Sequence, residues 1–507
     1  MPMEIELKLR LSPTQARRLQ AQPALSGHTP QKYRLRNTYF DTPDFELRSR
    51  GIALRLRQKG WAVWLMTVKC GASGAGGLAQ RSEWEAPTKP GVFDFSIVTD
   101  DALRVFLESQ HSRLQPVFST DFTRTAWKLS LAGSVIELAF DRGRINAPGI
   151  GGTSASVSKP LCELEIELIE GESPDALFDL AIELATELHL HPEIFSKAER
   201  GYALADGTLA NPVKAFASNV NKEMSPVDAF RSVALSCLAH LQRNEAGAVA
   251  GENPEYVHQA RVAIRRLRSA FRLFAPVLAV DFVNVYSPRW RELAGGLGSA
   301  RDWDVFLAET LAPLEEAFPE DADLAVLRAR GETTQAKAQA AAGVTLKQKA
   351  YSQLLLAFTA ALFRVGPPTI EAQGKASGMG LRKFATRRLQ KRAEMIELLV
   401  SEHAKMNAES RHELRIAFKK LRYALEFFAP VLPQKPLAAY QTSLAKIQNL
   451  LGTLNDQVTA SSLIKEMHPK GERDLVTRGW IAGRTQLLIK ALSSELRKFV
   501  AGKKPWS

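Results

Sequence analysis

At 507 residues the chain is longer than a single hydrophobic core supports, so two or three domains are expected. Its 45% hydrophobic and 24% charged residues describe a soluble globular protein, and the lack of any apolar run of about 18 residues excludes a membrane-spanning helix. The net charge of +13 is unevenly placed: residues 1–211 hold 24 Lys+Arg against 26 Asp+Glu, whereas 212–507 hold 43 against 28, so a polyanionic partner is expected for the second part.

The first element is a strand, Met3-Glu4-Ile5-Glu6-Leu7-Lys8-Leu9-Arg10, in which charge and hydrocarbon alternate. When extended, it puts Glu4, Glu6 and Lys8 on one face, with neighbours about 6.6 Å apart. Two carboxylates at that spacing reach one hard cation or two adjacent ones, with an ammonium beside them for an anion. Taken alone, the same alternation also describes a half-solvated strand. No basic-then-apolar leader precedes it. Cys70, Cys162 and Cys237 lack metal-ligand spacing, and their odd number suits a reducing compartment. Cytoplasm is the expected location.

Ser12-Pro13-Thr14 starts a short helix through about Gln22. Further alternating segments follow. Residues 53–57 place Arg55 and Arg57 on one face, 62–69 end in Lys69, and 79–85 carry Arg81, Glu83 and Glu85. The glycine run 71–77 between the last two lacks the Gly-Lys-Ser/Thr ending of a phosphate loop and has no helix after it, so a mobile hairpin connection is expected. Residues 120–131 offer Arg124, 135–141 offer Glu137 and Asp141, and 161–168 offer Glu163, Glu165 and Glu167. A Gly/Ser-rich loop is expected at 148–160, and helices near 99–110 and 174–190.

Many antiparallel strands at short spacing predict a barrel or curled sheet. Each pairs a charged face with an aliphatic one. Carboxylates gather on 3–10 and 161–168, and cations on the strands between, which favours charge turned inward around a wet lumen with helices packed outside. Such a lumen suits a polyphosphate, whose oxygens are neutralised by the cations while the carboxylates hold divalent metal. The bland alternative is a salt-bridged barrel interior.

Glu4-Ile5-Glu6-Leu7-Lys8 resembles the N-terminal signature of the CYTH, or triphosphate tunnel metalloenzyme, superfamily. The likeness continues in order through Asn37–Pro43, Leu54-Arg55-Leu56-Arg57, Thr67-Val68-Lys69, Arg81-Ser82-Glu83, Glu163–Glu167 and Ser196-Lys197. It implies an eight-stranded antiparallel tunnel that hydrolyses or cyclises triphosphates with Mg²⁺ or Mn²⁺. It further implies Glu4, Glu6, Glu165 and Glu167 as metal ligands, with Asp141 and Glu163 as additional ligands or supports. Lys8, Arg55, Arg57, Lys69, Arg81, Arg124 and Lys197 would hold phosphate oxygens, and Tyr39 would orient Lys8 or simply pack. The long loop at 148–160 makes the alignment of Asp141 the least secure.

Past Asn211-Pro212 the pattern becomes helical and duplicated. His258-x-x-Arg261-x-x-x-Arg265-Arg266-x-Arg268 returns as His412-x-x-Arg415-x-x-x-Lys419-Lys420-x-Arg422, and 274–278 and 297–302 also return, all at an offset of 154. His258, Arg261, Arg265, Arg268 and Arg272 form one stripe of a helix whose opposite face carries Ala260, Ile264, Leu267, Phe271 and Phe274. A solvated face explains one such stripe; its near-repetition points to a binding surface. The second stripe differs, because Glu426 stands where Arg272 does. Arg387, Arg388, Lys391 and Arg392 widen the patch or are solvated charge.

This part resembles the CHAD domain, which implies two pseudo-symmetric helical bundles that bind inorganic polyphosphate. The stripes carry no interleaved aromatic residues for base stacking, so nucleic acid is the less favoured polyanion. The expectation is an α+β multidomain chain: a tunnel at 1–208, a linker at 209–222, and a helical domain at 223–507 with copies at about 227–311 and 381–465. Its expected activity is metal-dependent hydrolysis of tripolyphosphate to pyrophosphate and phosphate, with polyphosphate bound by the helices and association with polyphosphate granules an open possibility. The alternatives are a class IV type adenylate cyclase, a thiamine or nucleoside triphosphatase, or a non-catalytic polyphosphate-binding adaptor.

Overall fold

The computed structural model describes residues 3–71, 74–149, 156–207, 211–251, 253–366, 379–402, 407–467 and 475–506. Parts of the glycine run (72–73), of the 148–160 loop (150–155) and of the linker (209–210) lie outside them. The chain forms two compact units. One holds the residues up to Asn211 together with Gln348–Phe363; the other holds Pro212–Lys347 and Arg364–Ser507.

Eight strands build the first unit: β1 (Met3–Arg10), β2 (Gln31–Asp41), β3 (Ile52–Lys59), β4 (Val63–Cys70), β5 (Leu78–Pro87), β6 (Gln115–Leu131), β7 (Ser134–Ala147) and β8 (Val157–Glu170). They are antiparallel in the order β5-β4-β3-β2-β6-β7-β8-β1, and β1 pairs back onto β5, which closes the barrel and leaves no free edge. A two-residue strand, β9 (His191–Pro192), continues the pairing along Leu9 and Arg10. Alternation did not mark β2. Its outward residues Arg34 and Arg36 are charged and exposed, while its inward ones mix Leu35 with Asn37 and Tyr39, so neither face reads as apolar.

The aliphatic faces turn outward and are covered. Leu7, Leu9, Leu129, Ile136, Leu138, Leu164 and Ile166 pack with Leu177, Phe178 and Leu184 of α2 (Asp175–Glu187). A second cluster seats Leu54, Leu56, Met66 and Val68 under Leu107 of α1 (Asp101–Gln110). At the start of the chain the helix is only Pro13–Ala16, capped by Ser12 Oγ, with two 3-10 turns after it.

One end of the barrel is filled by α3 (Lys197–Ala205), which begins in a capping box of Ser196 and Glu199. Its Ala198 and Tyr202 pack with Leu35, Phe118, Phe122 and Leu161. Gly201 makes this possible, since a β-carbon there would lie 2.0 Å from the Phe118 ring.

The helical unit runs α4 (Pro226–Ala250), α5 (Pro254–Phe274), α6 (Val280–Gly296), α7 (Gly298–Val305), a π-helical turn at Phe306–Leu311, α8 (Ala312–Ala317) and α9 (Ala322–Lys347). After α10 (Lys349–Arg364) it resumes with α11 (Leu381–Glu402), α12 (Ala408–Phe428), α13 (Gln434–Met467) and α14 (Leu475–Val500). The offset of 154 pairs α4 with α11, α5 with α12, and α6 plus α7 with the unbroken α13. Phe274 and Phe428, equivalent in the two copies, meet edge to face at 5.5 Å.

Helix α10 departs from the expected boundary. Although it lies in the sequence between the two helical copies, it packs with the barrel unit up to Phe363. Leu356 and Ala360 enter the core over β1 and α2, and Phe363 meets Phe178. Lys349 Nζ and Gln353 Nε2 donate to the free carbonyls of Thr186 and Ala185 at the end of α2. Gly76 also lies against it, since a β-carbon there would come within 1.9 Å of Thr359 Oγ1. Gly77 accepts a hydrogen bond from Lys8 N at 2.9 Å. The described end of the glycine run is thus a packed segment that needs small residues.

Candidate active site and anion-binding face

Register puts the candidate charged residues of seven strands, and Asn37 of β2, into one lumen. Glu4 pairs with Arg81, Lys69 with Glu83, Thr67 with Glu85 and with Arg55, Arg57 with Asn37, Arg124 with Asp141, Asp141 with Glu163, Lys8 with Glu165 and Glu6 with Glu167. Tunnel candidates from all eight strands therefore share one interior, and Lys197 joins them from the plug helix α3.

On the β1–β5–β4 wall, Lys69 Nζ lies 2.6 Å from Glu4 and 3.0 Å from Glu83. Arg81 Nε donates to Glu4 at 3.1 Å, its Nη2 pairs with Glu6, and Lys8 Nζ lies 2.9 Å from Glu6. Burial opposes the charge on Glu6, but Lys8 and Arg81 more than offset it and hold that carboxyl below its ordinary range. Glu167 has the opposite fate. Burial first, then Glu4 on the neighbouring strand β1, pushes it up to about 8 despite Lys69.

The adjoining β7–β8 wall gathers Asp141, Glu163 and Glu165, which can each place an oxygen within 4.8 Å of the others. Arg124 grips Asp141 with two bonds of 2.7 Å and reaches Glu165. Lys197 Nζ is 2.8 Å from Asp141 and 2.8 Å from Glu165, and it also meets Glu163, which Arg200 grips from the next turn of α3. Glu165 is held well below the ordinary carboxylate range: burial resists, and Lys197, Arg124 and Lys8 prevail.

The third group lies on β2, β3 and β4. Arg55 Nε donates to Thr67 Oγ1 at 3.2 Å, and the Thr67 hydroxyl donates to Glu85 at 2.7 Å. Arg57 Nε donates to Asn37 Oδ1 at 2.8 Å, and Asn37 Nδ2 donates to Thr120 Oγ1 at 2.7 Å. Burial, then Arg55 and Arg124 nearby, lowers Arg57 to about 10, so it is the least compensated cation of the lumen. Tyr39 stacks on Phe118 at 4.5 Å. Its polar partner is Arg55, whereas its expected role was toward Lys8; burial raises the phenol, and Arg55 brings it below its ordinary value. Asn37, Thr67, Thr120 and Arg200 were not picked out from the sequence as site residues. Arg200 had a visible signal, three residues from Lys197 on one helix, and Asn37 and Thr67 stood within the segments that carry the family likeness.

In the helical unit, α5 and α12 bring their stripes together. Arg265 Nε donates to Tyr423 Oη at 2.9 Å. Arg415 and Lys419 lie within the electrostatic reach of Arg265. Burial first, then these neighbours, depresses Lys419 to about 7. Burial and Arg301 bring His258 to about 4. Among the described residues, Arg261, Arg268, Arg272, Arg415, Lys419 and Lys420 make no ion pair, and the buried His258 Nδ1 and Arg415 Nε have no hydrogen-bond partner. Asp302 and Asp456, equivalent in the two copies, act on Arg261 and Arg415. This accounts for the repeated element at 297–302.

Arg266 is a correction to the expected binding set. It is 1% exposed, pairs with Glu426 at 2.7 Å and donates to the Phe216 carbonyl, so it faces the interior. His412 and Arg422 are exposed, with Arg422 over Tyr423.

A closed antiparallel tunnel with a charged lumen, joined to a duplicated helical unit with an unpaired basic face, defines a two-domain class. Residues 2–202 match the CYTH domain family, and residues 232–465 match the CHAD domain family. It is 37% identical over 210 residues to an inorganic triphosphatase of Haemophilus influenzae; the match covers 40% of this chain and 55% of that protein, so it spans about half the length of that relative. The CHAD domain of the plant Ricinus communis is 30% identical, with 58% of this chain and 99% of that one covered and a TM-score of 0.48. A proposed adenylyl cyclase from Hippeastrum with a dominant triphosphatase activity is 21% identical over 41% of this chain and 97% of that one, with a TM-score of 0.31. No described helix is long and apolar enough to cross a membrane.

Proposed function

We propose that this chain is a metal-dependent inorganic triphosphatase that splits tripolyphosphate into pyrophosphate and phosphate inside the barrel, and that its helical unit binds inorganic polyphosphate. The observation that carries the first reading is the lumen, where cations and carboxylates from seven of the eight strands are buried in alternation, with Asn37 and Tyr39 from β2 beside them. Burying so many charges is costly unless they serve a ligand. The relative in Haemophilus influenzae supports the same activity.

A divalent ion fits the donors present. Asp141, Glu163 and Glu165 offer oxygen only, as Mg²⁺ or Mn²⁺ prefers. Glu163 Oε1 is buried beside Lys197 without an aligned hydrogen bond. Glu167 on the same strand, with Glu4 and Glu6 on the neighbouring β1, completes the expected set. The ion would neutralise phosphate oxygens and lower the pKa of a bound water.

The side chains supply positioning. Arg55, Arg57, Lys69 and Arg81 are held in place before substrate arrives, so a triphosphate exchanges their carboxylate partners for its own oxygens with little reorganisation. Arg57, fixed by Asn37 and short of negative partners, seats one phosphate. Lys197 and Arg124 seat another. Burial and Glu4 push Glu167 up to about 8, and a divalent cation beside it would offset both and return it to its charged form.

Hydrolysis of tripolyphosphate, ATP and thiamine triphosphate with Mg²⁺ or Mn²⁺ tests this reading. Glu4→Ala should abolish phosphate release while retention on immobilised polyphosphate persists through the helical unit. Full hydrolysis by that variant would refute the tunnel as the site.

A further inference from the structure

The duplication of the helical unit is broken at one pair of positions, and the break has a direction. Arg266 on α5 meets Glu426 on α12 at 2.7 Å and is almost wholly buried. The offset of 154 relates Arg266 to Lys420 and Glu426 to Arg272. The second pair also meets, since Arg272 acts on Lys420, but there both partners are cations and reach solvent. One flank is thus neutral and closed where its counterpart is positive and open.

The open flank is larger than that pair. Arg388 on α11 donates through Nη2 to the Arg272 carbonyl at 3.2 Å, and Arg392 donates to the Arg388 carbonyl at 3.2 Å. The buried Nε atoms of both have no partner. Arg268 lies beside Arg272 and Arg291. The charged groups acting on Arg268, Arg388, Arg392 and Lys420 are all cations, and none of the four makes an ion pair among the described residues. The central cluster differs, because Asp302 and Asp456 temper Arg261 and Arg415 there. Cations from three helices held together without a counter-charge lower stability by mutual repulsion unless an anion relieves it.

We propose that Arg268, Arg272, Arg388, Arg392 and Lys420 form a second phosphate-binding subsite, which extends the central cluster on one flank only and gives a long polyanion a one-sided path. This inference rests on reading the helical unit as a polyphosphate binder. A short oligophosphate fills the central cluster, around Arg265, Arg415 and Lys419. Only a chain that outruns that cluster reaches the flank, and the Arg266–Glu426 pair turns it away from the other side. Affinity should therefore rise with chain length in two steps.

The test is calorimetric titration of the full chain with polyphosphates of graded length, at several salt concentrations. Arg272→Gln/Lys420→Gln should weaken long-chain binding about tenfold and flatten the slope of log K against log salt by about 1.5, as expected for two lost phosphate contacts. Short oligophosphates should bind it as they bind the parent, and Arg272→Lys/Lys420→Arg should retain long-chain binding. Arg415→Gln/Lys419→Gln should weaken every length. Equal losses at short and long lengths in the flank variant would mean a single site and overturn the inference, as would unchanged long-chain affinity. If the parent itself binds no polyphosphate of any length, the polyphosphate reading fails and the subsite falls with it; if the parent binds but the central variant binds every length equally well, the two-step inference is overturned.

Discussion

The hydroxyl of Tyr202 donates to Asp41 Oδ2 at 2.8 Å and ties the plug helix to strand β2. Asp41 is fully buried and also accepts from the backbone of Thr42, Leu47 and Arg48, so it is a fixed anchor. The helix it anchors carries Lys197 and Arg200 into the carboxylates. Tyr202→Phe should cost about 2 kcal/mol, the usual worth of a hydrogen bond to a charged group. Calorimetry should then show a midpoint roughly 4–8 °C lower. KM for tripolyphosphate should rise more than kcat falls, because substrate grip is loosened; an unchanged KM would leave the plug without a binding role. Gly201→Ala should act in the same direction through its collision with Phe118.

Chelation should stop phosphate release, and added Mg²⁺ or Mn²⁺ should restore it. Glu165→Gln should abolish the restoration, because it removes the carboxylate shared by Arg124, Lys197 and the acidic triad. Phosphate release after exhaustive chelation would contradict the metal requirement.

Stability toward acid should follow the same carboxylates. Glu6 and Glu165 titrate below their ordinary value of 4.5 in the fold. Their contribution is complete above that value and drains away as pH falls through their lowered folded range. Glu167, pushed up to about 8, acts in the opposite sense, so barrel denaturant midpoints should rise as pH falls from about 8 toward 4.5 and drop below about 4.5. Glu165→Gln should flatten that drop.

Lys419 gives the helical unit its own pH dependence. It titrates at about 7 without ligand, and a bound polyanion favours its charged form. Above pH 7 binding must take up a proton, so polyphosphate affinity should fall by up to about tenfold per pH unit. His258, already neutral there, adds nothing to this slope. Lys419→Arg should remove it in titrations between pH 7 and 9.

Residues 1–211 expressed alone should be less stable than the same residues in the full chain. Without α10 the outer core loses Leu356, Ala360 and Phe363, and the last turn of α2 loses two donors. The lost burial is on the order of 4 kcal/mol, or roughly 8–16 °C in unfolding midpoint. A synthetic peptide of 348–363 should recover part of it; an isolated 1–211 as stable as the whole would show that α10 merely leans on the barrel.

The tunnel was legible because its strands other than β2 obey one rule, charge inward and hydrocarbon outward, which survives in sequence as alternation. The helical copies were legible because duplication left a constant offset. Residues that act through others were not. Thr67, Thr120 and Asn37 carry no charge, and only strand register shows that they hold Arg55 and Arg57. Arg266 was misplaced for a related reason: helical periodicity puts it beside the stripe, and only the partner helix, with Glu426, shows that it turns inward. Helix α10 is apolar over most of its surface, but nothing in its own residues reveals which unit it covers.

The position of α10 also sets an order of events during synthesis. Gln348 follows Asn211 by 137 positions. At ordinary ribosomal speeds of about 5–20 residues per second, the finished strands wait roughly 7 to 27 s for their last covering helix. Throughout that interval the greasy flank around Phe178 faces the crowded cell, so a nascent chain of this design has particular reason to engage a chaperone.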